Sequence, residues 1–303
     1  GTQNTAIGQA SFRTNTTGSY NTVLGREAMQ DSTTGSHNVA IGTRTLADNT
    51  TGGDNTAVGK GALGISTTAI QNTAIGKESM EATTTGSYNT AVGVSSLAQH
   101  TTANGNTAFG RRSLYATTTG SRNTSVGYSA SDTLTTGNNN TVIGYGCDVS
   151  SASTGNELVA GYEVTGNAAN SFCFGNTSTD SAIAFGATSI SAPSDERLKK
   201  DITTSTAGLS FINDLRPVTY KWKNQGDIPS DLSGYIEGST EPWKNALTEH
   251  GFIAQEVKTA IDAHSELKDG FDMWKEDAKD GRQRIADGAL VPILVKAIQE
   301  LST

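Results

Sequence analysis

The N-terminal part of the chain lacks proline and tryptophan and has few charged residues. All five prolines lie at Pro193 or later, and all three tryptophans lie beyond that position. Only 8 of the 22 basic residues and 11 of the 30 acidic residues precede Ser194. Because the composition changes so sharply at one place, we place a domain boundary there.

Three further absences argue against whole classes of protein. The net charge of −8 argues against a nucleic-acid partner, since phosphate binding needs a basic surface. No long apolar run is present, so we expect neither a membrane-inserted segment nor a secretory leader. The two cysteines, Cys147 and Cys173, are too few for a disulfide framework, and we expect each to be a buried free thiol.

A repeat with a period of 17 residues fills the N-terminal part. Each of nine copies begins with an asparagine, and a glycine follows four residues later, as Gly8 follows Asn4. A Thr-Thr pair closes each of the first eight copies. The asparagines are Asn4, Asn21, Asn38, Asn55, Asn72, Asn89, Asn106, Asn123 and Asn140. Apolar residues recur at Phe12, Met29, Leu46, Leu63, Met80, Leu97 and Leu114. Since the repeat is under way at the first residues, we expect the natural chain to begin earlier.

A fixed period of this length predicts a solenoid. Seventeen residues are too few for two helices, and glycine, threonine and asparagine disfavour helix, so we expect two short strands and two turns in each rung. The glycines suit turns with positive φ, and the asparagines can stack into a side-chain ladder. With rungs ~4.8 Å apart, nine copies would extend ~43 Å.

The repeat supplies only two or three apolar residues per rung. A single narrow coil would bury too little surface to offset the loss of chain entropy, so we expect several chains to associate, most simply as a homotrimer. The Asn-Thr-Ala-Ile-Gly unit resembles the head β-roll of trimeric autotransporter adhesins and similar repeats of phage tail fibres. The usual period of those repeats is nearer the 14 residues that separate Asn156 from Asn170. We interpret residues 156–190 as the tapering end of the solenoid.

Two sets of residues in the repeat are candidates for contact with a host receptor. The last position of each copy varies, as in Tyr20, His37, Asp54 and Tyr88, but a solvated turn explains this variation more simply. Lys60, Lys77, Arg111 and Arg112 are candidates for contact with a glycan or lipopolysaccharide, and simple solvation is again the favoured interpretation. Glycan cleavage needs two facing carboxylates, and acidic residues recur at no fixed position. Ice binding is disfavoured because adjacent threonines on a strand point to opposite faces.

The C-terminal part has the pattern of a mixed α+β domain. Leu209, Ile212 and Leu215 have helical spacing, and Pro217 ends that helix. Residues 218–222 alternate as a strand, and residues 249–257 form a strand or turn that enters a helix. Residues 288–301 form an amphipathic helix suited to a bundle of several chains.

Four motifs in order resemble the endosialidase-type intramolecular chaperone domain, a self-cleaving domain at the C-terminus of phage tail spikes and fibres. They are Ser194-Asp195-x-Arg197-Leu198-Lys199, Leu215-x-Pro217-Val218-x-Tyr220-x-Trp222, Gly251-Phe252-Ile253-Ala254-Gln255-Glu256-Val257 and Leu294-x-x-Ala297-Ile298-x-Glu300-Leu301. The resemblance covers essentially all of residues 194–303. It implies a trimeric helper that brings three chains into register and then detaches.

The resemblance also implies the site of cleavage, which is the Pro193–Ser194 bond. Ser194 would be the nucleophile and Lys199 the base that accepts its proton, because a desolvated lysine can activate a serine hydroxyl. Pro193 departs from the small non-proline residue expected before the cut, and we expect it to slow or prevent cleavage. The alternative for Ser194 and Lys199 is a helix N-cap and a surface charge. For His250 a structural role is favoured over a catalytic one.

The sequence as a whole predicts a mainly β solenoid followed by a small α+β chaperone domain with a C-terminal helix. The predicted domains are the repeat at 1–190, a linker with the cleavage site at 191–193, and the self-processing domain at 194–303. We expect a phage tail fibre or tailspike for host attachment, assembled in the host cytoplasm and carried in the virion. No cofactor, metal, nucleic acid or external substrate is expected. The alternative is a bacterial trimeric surface adhesin.

Overall fold

The computed structural model describes residues 1–177, 179–187, 190, 194–232, 234–267, 271–277 and 281–303. Its contacts divide the chain into two compact units, Gly1–Asp195 and Glu196–Thr303. The predicted linker at 191–193, which includes Pro193, lies outside the described residues. We describe each unit separately.

The first unit is a β-solenoid, which confirms the predicted fold class. Parallel strands in sequence order pair residue by residue, and each of the first nine steps from one strand to the next is 17 residues, as in Thr73 opposite Thr90. The last parallel step is shorter, because Leu158 pairs with Phe172. The parallel strands are β1 (Thr5–Ile7), β2 (Thr22–Leu24), β3 (Val39–Ile41), β4 (Thr56–Val58), β5 (Thr73–Ile75), β6 (Thr90–Val92), β7 (Thr107–Phe109), β8 (Thr124–Val126), β9 (Thr141–Tyr145), β10 (Leu158–Tyr162) and β11 (Ser171–Asn176). An antiparallel strand, β12 (Thr179–Ala184), ends the sheet.

The expectation of two strands per rung is wrong, because each repeat forms one short strand followed by a long turn. Backbone torsions explain the difference. In the second repeat Glu27 and Met29 have φ of 56° and 47°, and equivalent residues recur along the solenoid. Alternating left-handed residues cannot continue a strand. The turns still stack by hydrogen bonds between rungs, such as Met29 N to Thr45 O at 2.9 Å.

The repeated glycine satisfies two requirements of this geometry. Gly59 has φ of +132°, a region that L side chains rarely adopt. A Cβ atom at this position would also lie 2.5 Å from the carbonyl oxygen of Gly76 in the next rung. The glycine therefore allows both the turn and the close stacking of rungs.

The interior of the solenoid is narrow and consists mainly of small residues. The middle residue of each strand from β3 to β7 is a fully buried alanine, such as Ala57. The predicted apolar residues add one larger side chain per rung, and those from Met29 to Leu114 are fully buried, whereas Phe12 is partly buried. Cys147 and Cys173 are buried and free, as predicted.

The predicted asparagine ladder is present. Asn72 donates from Nδ2 to Asn55 Oδ1 at 3.2 Å and to the carbonyl oxygen of Gly86 at 2.9 Å. Its own Oδ1 accepts from the backbone and side-chain nitrogens of Asn89 at 2.9 and 3.1 Å. Each buried amide is thus bonded to the rung before and the rung after, which fixes the register of the strands.

Glu157, which is 2% exposed, occupies the ladder position after Asn140. Its Oε2 accepts from the backbone N–H of Ser150 at 2.9 Å, and its Oε1 accepts from the hydroxyl groups of Ser150 and Thr154. These bonds replace the asparagine ladder where the rung shortens. The 14-residue spacing of Asn156 and Asn170 belongs to this last rung, where their side chains bond at 2.8 Å.

The second unit is a small helix-and-strand domain, as predicted. Its elements are α1 (Leu209–Asp214), β13 (Val218–Tyr220), β14 (Glu249–Gly251), α2 (Ala254–Ala263), β15 (Trp274–Glu276), β16 (Gln283–Ile285) and α3 (Val291–Leu301). β13 pairs with β14 and β15 with β16, both antiparallel. β13 is shorter than the predicted strand at 218–222. Phe211, fully buried, lies in the core, and its ring is nearly perpendicular to the rings of His264 and Phe271, with centroids 5.3 and 5.8 Å away.

In the described part of the chain no helix is long and apolar enough to cross a membrane. The same residues contain no group of three or more His, Cys, Asp or Glu side chains that could hold a metal ion.

Candidate functional site

The two predicted catalytic residues lie at the start of the C-terminal domain motif. A 3-10 turn at Glu196–Leu198 precedes Lys199, whose backbone N–H donates to the carbonyl oxygen of Glu196 at 3.0 Å. Both Ser194 and Lys199 are exposed in the single chain. Ser194 belongs to the first unit and Lys199 to the second, so their pairing as a dyad stays a prediction. The residue on the other side of the predicted cut, Pro193, lies outside the described residues.

The second motif leads from α1 into β13, contacts α2 through the side chain of Arg216 and supplies two rings of an aromatic cluster. Arg216 donates from Nε to Glu256 Oε2 at 3.0 Å, and its Nη2 donates to Glu256 Oε1. The hydrogen bonds from Arg216 hold the pKa of Glu256 below its usual range. Trp222 lies 5.3 Å from Tyr220 and 5.0 Å from Trp243, measured between ring centroids. Motif residues therefore stabilise the local fold of this unit.

A histidine between two carboxylates is a feature of the second unit that the sequence did not reveal. His264 bonds through Nε2 to Asp214 Oδ2 at 2.8 Å and through Nδ1 to Glu266 Oε1 at 2.9 Å. The hydrogen bond to Asp214 and, to a smaller extent, the hydrogen bond to Glu266 raise the pKa of His264. Asp214 ends α1, and His264 follows α2, so the cluster ties the two helices together. Because 50 residues separate the partners, no local pattern could have indicated it.

His250, the other histidine considered for this domain, is exposed in the middle of β14. Its backbone pairs with Thr219 of β13. A catalytic role for His250 stays untested, and its place in a strand agrees with the structural role that we favoured.

The C-terminal helix α3 has one buried face and one exposed apolar face. Ile293 and Ala297 are buried. Glu300 accepts a hydrogen bond from the backbone N–H of Leu209 at 2.8 Å, which joins α3 to the start of α1. The opposite face carries large exposed apolar residues at helical spacing. These are Val291, Leu294, Val295, Ile298 and Leu301, which are 42–70% exposed. Such a stripe is the pattern of a helix that packs in a bundle.

On the solenoid, the two sets considered as receptor contacts lie at different positions of the repeat. Tyr20, His37, Asp54 and Tyr88 all have left-handed φ near 60°, so this position forms a sharp corner of each rung. Tyr20 and His37 stack with ring centroids 4.7 Å apart. Arg111 lies over the ring of Tyr128 and donates to its hydroxyl oxygen at 2.6 Å. Contact of either set with a receptor stays a prediction.

Comparison with known proteins gives a match over part of the C-terminal region. Residues 194–266 match the peptidase S74 family model, described as chaperone of endosialidase. Comparison with curated proteins and with solved structures gave no match. The match begins at Ser194 and ends before α3, so it covers less than the resemblance seen in the sequence. The chain therefore combines an N-terminal β-solenoid with a C-terminal region that matches a family of self-cleaving chaperone domains.

Proposed function

We propose that this chain is a component of a phage tail fibre or tailspike that serves host attachment. In this proposal the C-terminal domain assembles three chains into a homotrimer and then releases itself by cutting the chain before Ser194. The finished solenoid is carried in the virion. The observation that carries the proposal is the match of residues 194–266 to an endosialidase chaperone, directly after a solenoid of stacked repeats.

Two features support assembly of several chains. The solenoid has a narrow interior in which small residues such as alanine alternate with one larger apolar side chain per rung, so it buries little apolar surface for its length. The α3 helix presents an exposed apolar stripe, and burying such a stripe between copies would stabilise a bundle. Association of copies would therefore stabilise both the solenoid and the C-terminal domain.

The proposed cleavage is a single acyl transfer followed by hydrolysis. Ser194 Oγ attacks the carbonyl carbon of residue 193, and the proton of Oγ passes to the Nζ atom of Lys199. The bond between this carbonyl carbon and the nitrogen of Ser194 breaks, and the freed amine of Ser194 takes the proton back from Lys199. Water then hydrolyses the ester that joins residue 193 to Ser194 Oγ, which separates the two parts of the chain. An ammonium group cannot accept a proton, so Lys199 has to be neutral, which burial favours. Lys199 is exposed in the single chain, so we propose that assembly buries it and thereby makes cleavage wait for the folded trimer.

Denaturing gels of four forms of the chain test the proposal. The wild-type chain should yield fragments corresponding to residues 1–193 and 194–303, whereas Ser194→Ala and Lys199→Ala should remain intact. Pro193→Ala should cleave faster than the wild-type chain, because proline restricts the backbone at the bond to be cut. Equal cleavage of the wild-type chain, Ser194→Ala and Lys199→Ala would refute the assigned dyad.

A further inference from the structure

Two glycines in one rung open a notch in the surface of the solenoid. Gly61 and Gly64 both lie in the turn that follows β4. The position of Gly61 carries a side chain in the neighbouring rungs, where it is Arg44 before and Glu78 after. The notch has a volume of about 90 Å³, and its lining consists of the two glycines, Arg44, Lys60, Ile65, Glu78 and Glu81. We call it the Gly61 notch.

The backbone does not require glycine at position 61. Gly61 has φ of 70°, and Arg44 and Glu78 adopt φ of 57° and 59° at the same position of the repeat. A Cβ atom on Gly61 would meet Glu78 Cγ and Glu81 Oε1 at 3.8 Å each, which is ordinary van der Waals contact. A side chain would therefore fit there, and the effect of the glycine is to leave the space open.

The Gly61 notch is surrounded by charges of both signs. In the part of the chain that the structure describes, no ion pair or side-chain hydrogen bond involves Arg44, Lys60 or Glu81. Glu78 already pairs with Lys77 at 3.1 Å. Two cations and one carboxylate are thus available at the notch to a bound group.

The placement of these charges selects an elongated zwitterion. The volume is small beside the ~300–1,000 Å³ of a pocket for a drug-sized molecule, so the occupant is a single small group. Arg44 stands in the rung before the notch and Glu81 in the rung after it, so their backbones are ~10 Å apart at ~4.8 Å per rung. An α-amino acid carries its two charges on neighbouring carbons, too close together to reach both walls.

We infer that the Gly61 notch binds a phosphoethanolamine group, in which an oxygen and two carbons separate the phosphorus atom from the ammonium nitrogen. The phosphate accepts charge-assisted hydrogen bonds from Arg44 and Lys60, and the ammonium donates to the carboxylate of Glu81. A phosphate monoester carries a charge of about −1.5 to −2 at pH 7, which two cations balance. Ile65, which is 41% exposed, lies beside the two carbons.

Saturation-transfer difference NMR of the full-length chain measures this binding, with O-phosphoethanolamine as the probe. Inorganic phosphate and ethanolamine are then added as competitors. We expect the inhibition constant of each competitor to exceed the dissociation constant of the probe by roughly tenfold or more, because each competitor engages only one wall of the notch. Equal constants for inorganic phosphate and the probe would refute a zwitterion site, and a probe that does not bind would refute the inference altogether.

A matched pair of variants tests the location. Gly61→Gln fills the notch with an uncharged side chain, and Ser129→Gln places the same side chain at the same repeat position, also with left-handed φ, four rungs away. We expect Gly61→Gln to weaken binding roughly tenfold or more and Ser129→Gln to leave it unchanged. Unchanged binding by Gly61→Gln with a native circular dichroism spectrum would contradict the location. If Gly61→Gln does not fold, Arg44→Gln, which alters an exposed side chain, decides the question by the same criterion.

A charge variant separates a zwitterion site from a merely basic one. Glu81→Gln removes the carboxylate that faces the ammonium and leaves Arg44 and Lys60 in place. We expect it to weaken binding of O-phosphoethanolamine and to leave the inhibition constant of inorganic phosphate unchanged. Equal affinity of Glu81→Gln and the wild-type chain for O-phosphoethanolamine would contradict the assigned orientation.

Cosedimentation with vesicles identifies the source of the group. Binding to vesicles of phosphatidylethanolamine and phosphatidylcholine, but not of phosphatidylcholine alone, supports the site and indicates a lipid headgroup. Binding of the soluble probe alone supports the site and indicates a group carried outside the bilayer. As a receptor contact the site rests on the proposed role in host attachment. A cleaved trimer that does not bind the probe would refute this inference alone, and an intact monomer that binds it would refute the proposed function alone.

Discussion

Acidification should destabilise the solenoid through a single buried histidine, His100. Its side chain is fully buried, and Nδ1 lies 3.0 Å from Thr83 Oγ1. Nε2 is buried with no hydrogen-bond partner in the described part of the chain. Burial lowers the pKa of His100 from 6.5 to about 4, against a smaller opposing effect of a backbone hydrogen bond at Ala103. The native solenoid thus holds this imidazole in its neutral form.

The sign and size of the effect follow from proton linkage. Above pH 6.5 the histidine is neutral in both the folded and the unfolded chain, so it makes no pH-dependent contribution. Below pH 6.5 the unfolded chain binds a proton that the folded chain rejects, so the free energy of unfolding decreases as the pH falls. The difference between 6.5 and about 4, at ~1.36 kcal/mol per pH unit, corresponds to roughly 3 kcal/mol once the pH is at or below 4.

The assay compares His100→Asn with the wild-type chain. Asn15 and Asn49 occupy the same position in other rungs, so asparagine fits there and does not titrate. Denaturant unfolding at pH 7.5 and pH 4, followed by circular dichroism, gives the loss of stability on acidification for each protein. We expect the wild-type chain to lose roughly 3 kcal/mol more than His100→Asn, because all other titrating groups are shared. Equal losses would refute the assignment of a buried neutral histidine.

Two further predictions concern the ladder and the C-terminal domain. Asn72→Ala should lower the free energy of unfolding by about 2–6 kcal/mol in denaturant titrations, because the buried Gly86 carbonyl and Asn89 N–H lose their partners. Asn139→Gly, an exposed corner position at which Gly105 stands in an earlier rung, should cost less than ~1 kcal/mol, and an equal cost for both would contradict the role of the ladder. The raised pKa of His264 means that its contribution to stability is complete below about pH 6.5 and is lost as the pH rises through the raised value. Thermal unfolding of the C-terminal domain should show this dependence in the wild-type chain, and its persistence in His264→Gln would contradict the assignment.

The repeat allowed much of the solenoid to be predicted from sequence. A pattern that recurs nine times shows directly which positions are equivalent, so the asparagine ladder and the buried residues such as Leu63 followed from it. The number of strands per rung could not be predicted from the repeat. The left-handed φ at Glu27 and Met29 follows from the stacking of rungs and not from residue type. The role of Glu157 was not predicted either, because a glutamate occupies the ladder position that asparagine occupies in the other rungs.

The C-terminal domain was predictable to a different extent. Helical spacing located α1 and the helix at 288–301, although Pro292 places the start of α3 at Val291, later than predicted. The His264 cluster joins residues 50 positions apart, and such long-range contacts leave no periodic pattern. The proposed Ser194–Lys199 pairing depends on burial by other copies, which a single chain cannot supply.

Native mass spectrometry of the expressed full-length chain tests the central claim most directly. The claim is that the C-terminal domain assembles three chains and then leaves them. The predicted result is a complex of three chains that each end at residue 193, together with a released fragment of residues 194–303. A monomer of the intact chain would contradict it.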